Sequence, residues 1–307
     1  MDYTLLFVQV LNGLQLGLLL FLVASGLTLV FGILDFVNLA HGSIYMFGAF
    51  IGASLTLLLG NFLLAIVIAV PLTGVLGYGI ERLLARNLYD KDHLDHVLGS
   101  FGLILVLDTA AHMIWGPAGI SVPLPVWLDG QVELFAGAVI PTYRLLIIAV
   151  GLAVAGGLLW LVNYTKLGML IRAGASNRTM VSALGIDIQT LFALVFALGA
   201  MLAGLAGMLI APITTASIGM GGQIIITTFV VIIIGGIGSM KGAFIGAIII
   251  GLIDTLGRSF LDQLFELFMS ENAAETAAPA VSAMMIYILM AVVLAVRPQG
   301  LFPPKVR

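Results

Sequence analysis

The chain has 307 residues, of which 61% are hydrophobic and only 9% are charged, with a formal net charge of −3 and no cysteine. A water-soluble domain carries about a quarter charged residues, so this composition excludes a soluble enzyme or binding module. The missing cysteines exclude disulfide and thiol chemistry, and the acidic balance argues against a nucleic-acid partner.

Long apolar runs predict an all-α, polytopic transmembrane helical bundle that occupies 1–307 as a single domain. A membrane-spanning helix needs about 20 residues, so about eight or nine spans fill this length and leave little chain for a fused catalytic or nucleotide-binding domain. The N-terminus lacks the basic region of a signal peptide, so we expect the first span to be retained. The predicted spans are 5–32, 43–59, 62–80, 97–115, 142–163, 188–210, 223–237, 243–256 and 280–296.

Basic residues orient these spans, because cytoplasmic loops carry an excess of lysine and arginine. If the loop 81–96, the segment 164–187, the turn at Lys241 and the C-terminus lie inside, only Arg144 and Arg258 remain outside. The prediction is an outside N-terminus and a cytoplasmic C-terminus. The alternative is that a broken or re-entrant segment at 32–43 reverses the side of the N-terminus. The basic residues placed inside are Arg82, Arg86, Lys91, Lys166, Arg172, Arg178, Lys241, Arg297, Lys305 and Arg307.

The first polar interruption is GILDFVNLAHGS at 32–43, which predicts a broken or re-entrant segment. Asn38 or Ser43 is available to cap the helix that follows. In a broken segment, the exposed helix ends could bind the charged groups of a zwitterionic substrate. The alternative is that 32–43 forms an ordinary interfacial turn whose polar groups are satisfied. The candidate translocation-path residues in this segment are Asn38, His41, Gly42 and Ser43.

Asp108 and His112 lie four residues apart in the predicted span 97–115, on one helix face. An ionisable residue inside a membrane is a functional hypothesis by default. Here the two side chains are expected to satisfy each other as a structural pair. The alternative is a proton relay, which would make the protein a secondary transporter. Asp254 and Arg258 repeat the spacing and are interpreted as structural.

The longest polar stretch is NYTKLGMLIRAGASNRTMVSALGID at 163–187. It is basic, rich in small residues and placed between two spans. We interpret residues 164–187, called the arm below, as a cytoplasmic handle that a partner protein grips. Gly174 lies near its middle, and a docked helix here needs about two amphipathic turns.

A second interruption is predicted at 235–239, because three glycines within four positions strain a continuous helix. Such a break is tolerated only where protein or a water-filled cavity receives the freed backbone groups, which favours a position near a translocation path. Those candidates are Gly235, Gly236, Gly238 and Ser239.

The sequence GAFIGA occurs at 48–53 and again at 242–247, each time after a Gly-Ser pair. Transporters often consist of two related halves, so the repeat predicts internal pseudo-symmetry. The alternative is chance, since glycine and alanine abound where membrane helices pack closely.

No motif for a metal, nucleotide or nucleophile is present in the sequence. There is no GxxxxGK[ST] phosphate loop, no nucleophile elbow and no HExxH. We therefore predict that the chain is not an enzyme and binds no metal or cofactor. The four histidines are His41, His93, His96 and His112.

Three separated blocks resemble a known family, and the likeness runs from about Asn12 to Pro298. NLAHGSIYMFGAFIGA at 38–53 is similar to the N-terminal signature of LivH-type permeases of bacterial branched-chain amino acid ABC transporters. GMLIRAGASNRTMVSALGID at 168–187 resembles the cytoplasmic motif of these permeases, and IIIGGIGSMKGAFIGAIIIG at 232–251 their glycine-rich third block.

The resemblance implies a heteromeric importer in the bacterial inner membrane. This chain and a paralogous permease would form the pore, two cytoplasmic ATPase subunits would hold ATP and magnesium, and a periplasmic protein would deliver the substrate. The arm would then contain the coupling helix that docks on an ATPase. The coupling residues that it implies are Gly168, Arg172, Ala173, Asn177, Ala183 and Gly185.

Two departures from the family pattern leave the substrate open. Ser43 stands where an acidic residue is common, and Lys241 stands where proline or a small residue is usual. Urea and short-amide permeases share the architecture and are the first alternative. A proton-coupled transporter using Asp108 and His112 is the second, and a structural membrane protein without a pore is the third.

Overall fold

The computed structural model describes residues 3–133 and 137–303, and in those ranges the chain is almost entirely helical. The predicted all-α class is therefore confirmed. One short antiparallel pair is extended, with β1 (Gln131–Glu133) beside β2 (Val139–Pro141). The helices described are α1 (Tyr3–Leu34), α2 (His41–Leu59), α3 (Phe62–Leu83), α4 (His93–Trp115), α5 (Thr142–Tyr164), α6 (Lys166–Ser176), α7 (Arg178–Ala183), α8 (Ile188–Thr214), α9 (Met220–Gly235), α10 (Met240–Phe265) and α11 (Glu271–Val296).

Eight of these helices are long and apolar enough to cross a membrane, which confirms a polytopic bundle. The predicted span 223–237 differs from the other predicted spans. Its helix, α9, has 16 residues and extends about 24 Å, less than the hydrocarbon core of about 30 Å. α10 and α11 are longer than predicted, because polar residues in their far ends continue the helices instead of forming a loop.

α1 is the central helix of the bundle and packs against α5, α8, α9 and α10. Residues 17–30 of α1 are buried without interruption. A helix that is apolar on all sides is expected to be enclosed on all sides, and α1 follows that rule. α2 and α8 are also largely buried, whereas α3, α4, α5 and α11 leave much of their apolar surface exposed for lipid or partner chains.

Glycines let the helix backbones approach closely at the crossings. A Cβ on Gly48 would lie 2.3 Å from Gly204 Cα where α2 crosses α8, and one on Gly235 would lie 2.3 Å from the Gly242 carbonyl carbon where α9 meets α10. In a membrane the hydrophobic effect does not drive helices together. Helices there associate through close packing at small residues. The abundant glycines are thus mostly packing positions.

The arm lies on the same side of the bundle as the end of α1, the break after α9 and the C-terminal segment. Arg178 Nη2 donates to the Ile33 carbonyl at 3.1 Å, and Gly32 faces Gly238. Tyr3, at the other end of α1, is about 45 Å along the helix axis from these contacts. We call the two sides the arm side and the far side. Lys305 and Arg307 lie outside the described residues.

The predicted re-entrant segment is confirmed at 35–40. α1 ends at Leu34, Asp35 has a positive φ of 52°, and the His41 Nε2 lies 3.2 Å from the Val23 carbonyl. Val23 is about 16 Å along α1 from its end, so the chain turns back into the bundle before α2 begins. The capping prediction was wrong, because Ala40 precedes α2 without any side-chain cap.

The predicted break at 235–239 is also present. α9 ends at Gly235, and Gly236 and Gly238 adopt positive φ values of 106° and 79°. The C-terminal segment covers the freed carbonyls, since the amides of Leu301 and Phe302 donate to Ile234 and Gly235 at 2.8 and 2.9 Å. The break is therefore closed by protein backbone.

The two GAFIGA copies lie in α2 and α10, each in the helix that follows a break. Their registers differ. The first Gly-Ser pair is inside α2, whereas the second lies in the break before α10. Internal pseudo-symmetry stays a prediction.

Candidate functional site

The arm folds into two short helices with side-chain caps. The Thr165 hydroxyl accepts a hydrogen bond from the Gly168 amide at 3.0 Å and begins α6. Asn177 ends α6 and, through its Oδ1, accepts from the Met180 amide at 2.9 Å to begin α7. Each cap satisfies a donor that the first turn of a helix leaves unpaired. The arm thus has a defined shape despite its polar composition.

Asp187 closes the arm and caps α8. Its carboxylate accepts hydrogen bonds from the hydroxyl and amide of Thr190 and from the Gln189 amide. The Thr190 side chain is the largest cause of a lowered Asp187 pKa, followed by the Thr190 amide. The cap therefore contributes its whole stabilisation at a pH above the ordinary carboxyl pKa. This stabilisation is lost as the pH falls through the lower pKa that Asp187 has in the folded chain.

The six predicted coupling residues have different environments in the arm. Gly168 is buried, and a Cβ there would lie 2.2 Å from the Leu161 carbonyl, so its role is packing against α5. Asn177 is a cap, and Gly185 has a positive φ of 81° that ends the turn after α7. Arg172 and Ala183 are exposed, and Ala173 is half-buried. Their coupling role stays a prediction.

The exposed apolar side chains of the arm, which also include Met169, were missed in the sequence. Met180 is 59% exposed and Leu184 is 72% exposed. They are four residues apart, so they lie on one face of α7 and the turn after it. This spacing is visible in the sequence and, in a segment otherwise polar, could have identified them.

Arg178 joins the arm to the bundle core. Its guanidinium lies 5.3 Å from the Phe192 ring centroid and donates to the Ile33 carbonyl in the last turn of α1. A cation is favoured at the C-terminal end of a helix, where the carbonyls lack partners. Arg178 thereby connects α7 to the end of α1, directly before the re-entrant segment.

A buried polar cluster lies beside the arm, and it too was missed. Glu81 is fully buried, accepts from Arg86 Nη2 at 3.1 Å and Nε at 3.3 Å, and accepts from the Tyr89 hydroxyl at 3.2 Å. Arg86 also donates to Gln189 Oε1 at 3.2 Å, at the start of α8. Burial, and then the charge of Glu81, raise the pKa of Tyr89, so its hydroxyl keeps the proton that it donates. The cluster fixes α3 to the first turn of α8.

The predicted path residues in the re-entrant segment are all buried. Asn38 Nδ2 has no hydrogen-bond partner in the described structure. Gly42 faces the Gly221 backbone of α9, and Ser43 Oγ donates to Asp108 Oδ1 at 3.2 Å. In the second break, Ser239 Oγ accepts from the Gly242 amide at 3.1 Å and caps α10. A role of these residues in translocation stays a prediction.

The predicted contact between Asp108 and His112 is not formed among the described residues. Asp108 is half-buried and turns to Ser43 of α2, whereas His112 is exposed on the surface of α4. A helix can satisfy a polar side chain from another helix as well as from its own next turn, and here the tertiary contact is used. The predicted Asp254–Arg258 pair is confirmed, with Nη2 2.9 Å from Oδ1.

A cavity of about 440 Å³ opens between α1, α8, α9, α10 and α11 toward the far side of the bundle. We call it the α10 cavity. None of the eight predicted path residues lines it. Its polar lining consists mainly of Thr214, Thr215, Ser217, Gln223, Thr227, Asp254 and Arg258.

A family model described as "Branched-chain amino acid transport system / permease component" matches residues 9–294. The chain belongs to this family. It is accordingly a permease component of a transporter and a multi-pass membrane protein, in a family of transport proteins and not of catalytic enzymes.

Curated relatives extend over most of this permease. It is 31% identical over 261 residues to the high-affinity branched-chain amino acid transport system permease protein BraD of Pseudomonas aeruginosa, covering 81% of this chain and 85% of that one. It is 30% identical over 273 residues to LivH of Escherichia coli, covering 82% and 86%. A probable LivH of Methanocaldococcus jannaschii is 27% identical, covering 80% and 79%. No solved structure gives a significant match.

Proposed function

We propose that this chain is a pore-forming subunit of an ATP-driven importer of branched-chain amino acids, with ATP hydrolysis in separate subunits. The observation that carries the proposal is the family match over nearly the whole chain, together with relatives named as high-affinity branched-chain amino acid permeases. Its partners would be a second permease chain, two ATPase subunits that hold ATP and magnesium, and a periplasmic binding protein.

The charge distribution supports a cytoplasmic position of the arm side. Basic residues from separate parts of the chain, including Arg86, Arg172, Arg178, Lys241 and Arg297, occur in the elements on that side. Cytoplasmic surfaces of membrane proteins carry this excess. The arm and the C-terminal segment would then face the bacterial cytoplasm, and the N-terminus and the α10 cavity would face outward.

The arm geometry supports docking of an ATPase. Met180 and Leu184 offer an exposed apolar surface, and Arg178, two residues before Met180, contacts the end of α1. Burying a leucine side chain contributes about 1.5–3 kcal/mol. A partner that covers this surface would gain affinity from the apolar residues, and its movement would reach the re-entrant segment through Arg178.

The substitution Leu184→Asp is expected to lower ATP-driven leucine uptake by at least about tenfold, because the lost apolar contact is worth more than about 1.4 kcal/mol. Uptake of labelled leucine is measured in cells that depend on this permease, together with co-purification of the ATPase subunits. The exposed position means that folding should be unaffected.

Leu184→Met is the matched control, since it keeps an apolar side chain at the same place and should retain uptake. Charge reversal by Arg172→Glu tests the other exposed arm position in the same assay. Normal uptake and intact co-purification in both Leu184→Asp and Arg172→Glu would contradict docking through the arm. Uptake of urea or acetamide in place of leucine by the unaltered complex would contradict the proposed substrate class.

A further inference from the structure

Two opposite charges lie inside a membrane-spanning helix at the wall of the α10 cavity. Asp254 and Arg258 belong to the candidate span Met240–Leu261, and both line the cavity. Asp254 is about 21 Å along α10 from its arm-side start. Charged residues at such depths usually face a water-filled cavity and mark substrate paths.

The pair has unused hydrogen-bonding capacity toward the cavity. Arg258 uses its Nε and Nη2 atoms on Asp254, at 2.9–3.1 Å, while Nη1 has no hydrogen-bond partner among the described residues. The Arg258 side chain is 60% exposed and that of Asp254 is 17% exposed. A guanidinium has five N–H donors and a carboxylate about four acceptor sites, so both groups can accept a ligand without separating.

The cavity lining also contains aliphatic side chains. They include Leu16 and Leu20 of α1, Ile224 of α9, and Ile250 and Ile286 from α10 and α11. A volume of 440 Å³ is within the range of about 300–1,000 Å³ typical of small-molecule sites. The cavity therefore presents a positive group, a negative group and aliphatic side chains in one lining.

We propose that the α10 cavity is a binding site for a zwitterionic amino acid with an aliphatic side chain. Arg258 binds the α-carboxylate, Asp254 accepts hydrogen bonds from the α-ammonium, and the aliphatic side chain lies against Leu20 and Ile250. This site rests on the proposed function and adds to it that the permease itself recognises the substrate class. A purely structural ion pair would need neither the cavity nor the unused donors.

Ligand binding can be measured directly, because the natural chain contains no cysteine. Thr227→Cys places a single thiol in the cavity lining, and the rate of its modification by a water-soluble methanethiosulfonate is measured on the purified full chain. L-leucine at about ten times its Kd should slow modification about tenfold, since the free fraction is 1/(1 + [L]/Kd).

The carboxylate 4-methylpentanoate and the amine isoamylamine, which each lack one charged group, should protect little. Ser182→Cys, an exposed position in α7 on the arm side, is the matched control and should show no protection.

Asp254→Asn and Arg258→Gln, each combined with Thr227→Cys, should remove the protection by leucine. In the complete transporter each single change should lower leucine uptake by about tenfold or more, as expected for loss of a hydrogen bond to a charged group. The double exchange Asp254→Arg with Arg258→Asp keeps a neutral ion pair. It should restore thermal stability without restoring uptake, whereas a structural pair would restore both.

The outcomes separate this site from the proposed function. ATP-driven leucine uptake without protection of the Thr227→Cys thiol, or protection that persists in both charge variants, would overturn the site and leave the importer intact. Protection by leucine in a chain that supports no ATP-driven uptake would keep the site and overturn the importer.

Discussion

Gly207→Val is expected to prevent the chain from accumulating as a folded, monodisperse protein. A Cβ on Gly207 would lie 2.0 Å from the Tyr45 carbonyl oxygen and 3.0 Å from the Ala49 amide nitrogen, where α8 crosses α2. These atoms belong to the backbone, so no side-chain rotation can relieve the overlap. Overpacking by side chains alone costs about 1–3 kcal/mol, and a clash with backbone should exceed that range. Native proteins are stable by only about 5–15 kcal/mol.

The measurement is the yield and thermal midpoint of the detergent-solubilised chain by size-exclusion chromatography. Gly156→Val is the matched control, since Gly156 is an exposed glycine within α5 and has no atom within 4 Å of a built Cβ. The thermal midpoint of Gly156→Val should lie within a few degrees of that of the unaltered chain. Equal midpoints for the two variants would show that the α2–α8 contact is not closed as described.

Arg86→Ala is expected to destabilise the fold by about 3 kcal/mol. It leaves the Glu81 carboxylate fully buried with Tyr89 as its remaining partner. Removing one member of a buried ion pair costs about 3–5 kcal/mol, and the low end applies here because Arg86 is 24% exposed and water can reach the vacated space. Thermal unfolding of the purified chain measures the effect.

Arg82→Ala is the matched control for this cluster, since Arg82 is exposed and its described contact is the face of Tyr78. Its effect should be below about 1 kcal/mol. Adding Glu81→Gln to Arg86→Ala should recover most of the loss, because the uncompensated buried charge is then gone. A double variant no more stable than Arg86→Ala would show that the charge of Glu81 is not what makes the single change costly.

Some features of the site could be predicted because they depend on local chemistry. The cap residues Thr165 and Asn177 act on amides three positions away, and the Asp254–Arg258 pair spans one turn of α10. Gly236 and Gly238 mark a break because few other residues adopt positive φ. In each case the interacting groups are close in sequence.

Other features could not be predicted, because their partners are distant in sequence. Ser43 was expected to cap a helix but donates to Asp108, 65 residues away. Arg86 meets Gln189 across 103 residues, and Arg178 reaches Ile33 across 145. Each of these side chains has several possible partners in the sequence, and only the packing of the helices selects one.

The sequence by itself determined that this protein is a multi-pass helical membrane protein of a permease family, since composition and span length depend on the solvent that surrounds a chain. It also located the breaks after α1 and after α9. The tertiary structure decided which glycines contact which backbones, how the arm is joined to α1, and that Asp254 and Arg258 face a cavity instead of lipid. These depend on how helices cross, and a helical period places a residue on one face of its helix without specifying what lies opposite that face.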